Sequence, residues 1–241
     1  MDNRYARQIA FREICTDGQR IISNARVAIV GMGALGSASA NNLARAGVGF
    51  LRLIDSDTAD ITNLQRQLLY TESDVESGVP KAIAAAKHMR DINSTIEIET
   101  RVTRLDTDNC AEFLRGIDLV LDGTDNIETR FLINKTCIGL GIPWVYGAAL
   151  GSTGAVMPIV PGGACFRCLF PEDIGTGETC ATHGVLGSLP MIVSSLQVTQ
   201  AMKILLYRPG SGLITFDIWN NVCESIKIGR NPECADCGGI R

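Results

Sequence analysis

Histidine is nearly missing from this chain: His88 and His183 are the only two in 241 residues. Chemistry built on imidazole therefore has little material to work with. Long apolar runs are missing too, and none reaches the ~18 residues a membrane-spanning helix needs. The opening stretch MDNRYARQIAFREI mixes charged with apolar residues and lacks a signal-peptide core, so a cytoplasmic location is expected. Neither sign of charge dominates. The 22 Lys and Arg against 26 Asp and Glu leave a formal −4, too near neutral to argue for nucleic acid or an anionic membrane as partner. No internal repeat and no low-complexity linker interrupts the chain. With 46% hydrophobic and 20% charged residues, it suits one continuous α/β domain over 1–241 with a full-sized core.

Cysteine, by contrast, is plentiful, with nine residues. In a reducing compartment that favours metal binding or chemistry over disulfides, and the odd count leaves at least one thiol outside any pairing. Cys165-Phe166-Arg167-Cys168 and Cys234-Ala235-Asp236-Cys237 are two CxxC loops. Together they supply four thiolates for a closed, structural zinc knuckle with no position left for water. Cys15, Cys110, Cys137 and Cys223 read as buried small hydrophobes. Cys180 stands apart, in a Gly- and Thr-rich loop three residues before His183.

The first 25 residues read as an N-terminal arm and helix, followed by a nucleotide-binding core over 26–147. Arg26–Val30 is a Val/Ile-rich run that reads as a buried parallel strand, Ala34–Ala46 a small-residue helix, and Phe50–Ile54 the next strand. An irregular stretch runs from Ser56 to Val79. Pro80, at a first-turn position, opens a helix to about Ile92. Strands at Ile96–Val102, Ile117–Leu121 and Pro143–Tyr146 alternate with helices at Asp106–Arg115 and Asn126–Leu140. This alternation predicts a Rossmann-like doubly wound, mostly parallel sheet with helices on both faces. In 148–241, Gly, Pro and Cys crowd into Gly151–Cys180, and a long helix covers Gly187–Tyr207. An antiparallel pair, Ile214–Asp217 with Val222–Ile228, closes the chain before the second CxxC.

Gly31-Met32-Gly33-Ala34-Leu35-Gly36 follows a strand and opens a helix. Gly31, Gly33 and Gly36 let the backbone turn tightly and approach a phosphate or adenosine at the helix N-terminus. Asp55 ends the next strand, where a carboxylate can accept from ribose hydroxyls. NAD, FAD and ATP all fit such a turn, and the GxxxxGK[ST] triphosphate loop is absent. Three features favour ATP. Asn63-Leu64-Gln65-Arg66-Gln67 is a polar, cationic run in the irregular stretch. Lys81 opposes a helix dipole and so calls for an anionic partner. Asp122 and Asp125 follow a buried strand, and ligands of open α/β sheets lie beyond such strand ends. Cations with a carboxylate suit a triphosphate with Mg²⁺. The bland alternatives are surface salt bridges for Arg66 and Lys81, and helix capping for Asp125.

These residues, with Arg4-Tyr5-Ala6-Arg7-Gln8 and both CxxC pairs in order, resemble the ThiF/MoeB/HesA group of the ubiquitin-activating enzyme superfamily over essentially the whole chain. The resemblance implies an adenylyltransferase. With ATP and Mg²⁺ it would adenylate the C-terminal Gly-Gly carboxylate of a ubiquitin-like sulfur carrier, releasing pyrophosphate, in thiamin, molybdenum cofactor or related biosynthesis. Arg66, Asn63, Gln67 and Lys81 would hold the phosphates, Asp125 the Mg²⁺ and Asp55 the ribose. Asp57 and Asn126 join them as nucleotide-binding candidates. Arg7 would reach the other active site of a homodimer, and Cys180 would form a covalent link to the carrier. Residues 148–241 would bind zinc and the carrier. A separate sulfur donor, a cysteine desulfurase or rhodanese, would be needed. The competing readings are an NAD-dependent oxidoreductase, a tRNA-modifying dehydratase of the same superfamily, and a nucleotide-sensing scaffold without turnover.

Overall fold

The computed structural model describes residues 3–171 and 184–239. Arg26–Val30 (β1), Phe50–Ile54 (β2), Glu97–Arg101 (β3), Leu119–Asp122 (β4) and Trp144–Leu150 (β5) pair in parallel in the order β3-β2-β1-β4-β5. Thr153–Ile159 (β6), Leu213–Asp217 (β7) and Val222–Ile226 (β8) extend the same sheet antiparallel beyond β5. Strand direction alternates the side chains between two cores. Val27 and Ile29 pack with Ala34–Ala46 (α3), Lys81–Ile92 (α5) and Leu189–Leu205 (α9), and Ala28 and Val30 with Cys110–Leu114 (α6) and Ile127–Leu140 (α7). Helices therefore cover both faces, as the buried, uninterrupted apolar strands require.

The helix α9 is enclosed on most sides and carries polar residues inward. Gln197, fully buried, donates Nε2–H to the Asp122 and Val145 carbonyls at 2.8 and 3.2 Å. Ser194 donates to Leu35 O at 2.9 Å and meets Ser39 Oγ at the same distance. These bonds fix α9 against α3, the C-terminal end of β4 and the start of β5.

Several local expectations change. The β6 strand was not expected, since its glycine and proline hid an antiparallel partner of β5. The predicted Asp106–Arg115 helix is confined to Cys110–Leu114, because Asp106 and Asn109 bond the backbone of the preceding turn. The irregular Ser56–Val79 stretch contains a capped helix, Glu72–Ser77 (α4), with Thr71 and Asp74 forming a reciprocal capping box. Pro80 is the N-cap of α5, not its first helical residue. N-terminal to β1 lie a single helical turn, Ala6–Ile9 (α1), and Cys15–Asn24 (α2). Cys110 and Cys137 are buried as expected, but Cys15 and Cys223 are exposed. Cys15 stands at the start of α2, and Cys223 lies on the edge strand β8, so neither has a second layer over it.

Candidate nucleotide site and cysteine cluster

Between the C-terminal ends of β1 and β4 the sheet opens into a cleft of about 750 Å³, within the usual range for ligand pockets. Its floor depends on three glycines. Gly31 has φ +84°, and a Cβ there would stand 2.7 Å from Gly123 O. At Gly36 a Cβ would lie 1.8 Å from Gly31 O, and at Gly123 2.4 Å from it. The three backbones are therefore in mutual contact, which brings α3 against the ends of β1 and β4. Gly33 differs: it lines the cleft, and its added Cβ would meet only Gln67 Nε2, at 3.9 Å.

Asp55 at the end of β2 faces this floor. Its Oδ2 accepts from Met32 N at 2.6 Å and its Oδ1 from Asp57 N at 2.7 Å. Burial pushes the Asp55 carboxyl above the ordinary carboxylate range, while those N–H donors and the charge of Lys81 pull part of the shift back. Lys81 is buried at the start of α5. Its backbone N–H donates to Asp57 O at 2.7 Å, and its ammonium reaches the exposed Asp57 carboxylate at 3.4 Å. The anionic partner expected for Lys81 is thus Asp57, and the exposed, solvent-screened half of this pair adds little to stability.

Asn63, Arg66 and Gln67 lie on the same cleft. Asn63 Oδ1 accepts from Asp60 N in a capping box, which turns the loop, and Arg66 donates to Thr62 O at 2.9 Å. Arg66 has no carboxylate partner among the described residues, so the salt-bridge alternative does not account for it. Gln67 is buried with an Oε1 that has no hydrogen-bond partner, a polar group placed for a ligand. Asp125 is exposed to the cleft. The cap of α7 is Asn126, whose Oδ1 accepts from Thr129 N at 2.9 Å, so capping does not account for Asp125.

Of the remaining candidates, Gly36 stands behind the floor, and Arg7 is exposed on α1 away from this chain's cleft. Cys180 and His183 lie outside the described residues. Sequence reasoning missed Gly123, Arg104 and Arg130, all on the cleft wall. Arg130 pairs with Asp122, whose side chain is fully buried, at 3.0 Å. A carboxylate at the last residue of a buried strand demands a cation, and Arg130 sits eight residues on, on the next helix. That pairing was the available signal.

The four CxxC sulfurs gather at the far side of α7. Cys165 Sγ is 3.9 Å from Cys168 and 3.6 Å from Cys234, and Cys168 is 3.5 Å from Cys237. All four ligand atoms fall within 4.8 Å of one another. Tetrahedral ligands on bonds of about 2.3 Å stand ~3.8 Å apart, so the set fits one tetrahedral metal ion. Asn231 N donates to Cys168 Sγ at 3.4 Å, and Asn134 and Arg167 both hold Asp236 of the second loop. Cys165 caps only the short helix Phe166–Leu169 (α8), unlike a redox-active CxxC on a long helix.

The model of the ThiF family matches residues 5–236. The SAMP-activating enzyme E1 of Haloferax volcanii is 40% identical, over 98% of this chain and 88% of that protein. The sulfur carrier protein ThiS adenylyltransferase of Bacillus subtilis is 38% identical, over 99% of this chain and 72% of its own length. The sulfur carrier protein adenylyltransferase of Thermus thermophilus is 38% identical, over 98% and 90%. Among solved structures, E. coli MccB with ATP superposes with a TM-score of 0.85 at 22% identity, over 99% of this chain and 75% of that one, which is a likeness of fold.

Proposed function

This chain belongs to the ThiF family, and from that premise we propose that it adenylates the C-terminal carboxylate of a ubiquitin-like sulfur carrier. The observation that carries the reading is the convergence of Arg66, Lys81 and Asp125 on one cleft at the strand-order reversal. In the reaction a carboxylate oxygen attacks the α-phosphorus of ATP. The bond from that phosphorus to pyrophosphate breaks, pyrophosphate leaves with the electron pair, and the carrier acyl-adenylate remains. A carboxylate is already ionised at pH 7, so no general base is needed. A cleft without a described histidine is compatible with that chemistry.

Arg66 and Lys81 neutralise the phosphates, Arg by a two-pronged fork and Lys as a point charge. Gly33 and the first turn of α3 admit the nucleotide backbone-close, and Asp55 receives the ribose. Asp57, Asn63, Gln67 and Asn126 complete its surroundings. Asp125 would hold Mg²⁺, which when bound shields the phosphate charge. Zinc is the metal that suits Cys165, Cys168, Cys234 and Cys237, as a structural ion. Arg7, exposed and remote from its own cleft, suits the homodimer in which it enters the partner's site. Residues 1–241 act as one adenylation domain in the cytoplasm, with a separate sulfur donor, and Cys180 is the candidate for a covalent link to the carrier. The relatives named above are adenylyltransferases or an activating enzyme, so the oxidoreductase and dehydratase readings are not favoured.

The test is carrier-dependent ATP–pyrophosphate exchange. Lys81→Ala or Arg66→Ala should lower it by about 10²-fold or more with the fold intact. Exchange retained in both variants would overturn the assignment.

A further inference from the structure

The phosphate-binding set leaves Arg104 and Arg130 on the cleft unassigned, and of the two Arg130 is the one held by a buried carboxylate. Arg130, in the first turns of α7, has a side chain only 13% exposed yet lines the cleft. Its Nε donates to Asp122 Oδ2 at 3.0 Å. Its Nη2 donates to the carbonyls of Thr124 at 2.7 Å and Gly147 at 3.1 Å. The guanidinium carbon lies 5.2 Å from the Tyr146 ring centroid. Asp122 cannot swing away with it, because its Oδ1 accepts from both the N–H and the hydroxyl of Thr124. The guanidinium plane is thus fixed by β4, the turn after it and β5. The remaining nitrogen, Nη1, has no acceptor among the described residues, and Arg130 is one of the residues that line the cleft.

Arg66 and Lys81 come from segments that follow β2, whereas Arg130 is bonded to the end of β4 and the middle of β5. That side of the cleft is lined by the apolar residues Ala148, Ala149 and Leu150, and the two alanines leave room for an extended tail of glycines. Adenylation brings two anions together, a carboxylate and a polyphosphate, and their repulsion has to be offset at the nucleophile as well as at the nucleotide. Resting on the adenylation reading above, we infer that Arg130 receives the carrier's C-terminal carboxylate, presenting Nη1–H to it on the β4–β5 side of the cleft. Its pairing with Asp122 suits this task. The pair is neutral overall, so it orients the carboxylate by a directed hydrogen bond without holding it in a full ion pair, which would stabilise the ground state and slow attack.

The test uses the full chain and a ThiS-type carrier made with a free C-terminal carboxylate and as the C-terminal amide. Binding is measured by calorimetry with an ATP analogue bridged by methylene between the α and β phosphorus, so that no adenylate forms. Wild-type protein should bind the amide about 10-fold or more weakly than the carboxylate. Arg130→Lys keeps a cation beside Asp122 but loses the fork. It should reduce that amidation penalty to about threefold or less, with affinity for the analogue near wild type. A structural role alone would not move the amidation penalty selectively. Arg130→Lys retaining the full penalty, while wild type shows carrier-dependent exchange, overturns the Arg130 assignment and leaves the adenylation reading standing. Wild type without any carrier-dependent exchange overturns both.

Discussion

The three glycines of the turn after β1 look equivalent in sequence, and the structure predicts that they will respond differently to one added methyl group. At Gly36 the new Cβ would stand 1.8 Å from Gly31 O and 2.9 Å from Gly31 C. Reaching ordinary contact at 3.4 Å from the 1.8 Å approach to Gly31 O means moving backbone by roughly 1.6 Å, the difference between 3.4 and 1.8 Å. Little of that movement is available. Gly31 N is bonded to Ile54 O and Gly123 N to Val30 O, each at 2.8 Å, and Gly123 lies so near Gly36 that a Cβ on it would stand 2.9 Å from Gly36 Cα. Gly36→Ala should therefore fall at or beyond the upper end of overpacking effects, about 3 kcal/mol or more. For a chain of this size that lowers Tm by about 6–12 °C. At Gly33 the nearest atom to the new methyl is Gln67 Nε2 at 3.9 Å, the side-chain end of a residue already on the cleft. Gly33→Ala should change stability by no more than about 1 kcal/mol. Its effect should instead be on the nucleotide, weakening ATP about 10-fold or more, because the methyl occupies the place where a phosphate approaches the backbone. Thermal and urea unfolding, with ATP titration calorimetry, measure both quantities on the same preparations. The reasoning fails if Gly36→Ala keeps Tm within a degree of wild type, or if Gly33→Ala destabilises as much as Gly36→Ala.

Two further outcomes are expected. Metal analysis of protein prepared with ample zinc should find close to one ion per chain, and Cys165→Ser should lower both occupancy and Tm while ATP binding persists; clearly less than one ion in the wild type contradicts the site. Asp74 is buried, which opposes its charge, but hydrogen bonds from His88 and from the Thr71 hydroxyl and N–H hold its carboxyl below the ordinary range. A carboxylate with a depressed folded-state pKa adds stability above about pH 4 and loses it as pH falls through the folded value. Asp74→Asn should therefore lower stability at neutral pH and flatten the acid limb of the stability curve; an acid limb unchanged in that variant would show that Asp74 contributes nothing to it.

Much of the site was legible in sequence because its signals are local. A Val/Ile run followed by a glycine turn, a small-residue helix and a second strand ending in Asp55 writes a βαβ unit within about thirty residues. Asn63, Arg66, Gln67, Lys81 and Asp125 could be singled out because each is polar or charged where a plain loop or helix start has no use for it. The two CxxC loops carry ligand spacing in themselves. Periodicity, however, reports only which face a residue takes along its own element, not what stands opposite. Tertiary packing alone brought Cys165 and Cys234, 69 positions apart, to 3.6 Å, inserted β6 between β5 and β7, and left Cys15 and Cys223 exposed. The same packing assigned the three motif glycines different duties by setting Gly123 against Gly31 and Gly36. It also gave Asp122 its buried partner and left one nitrogen of Arg130 without an acceptor beside the cleft. Sequence determined which residues carry charge, sulfur and bare backbone; the lateral order of the strands decided which of them meet, because contacts across a sheet join residues that no local pattern links.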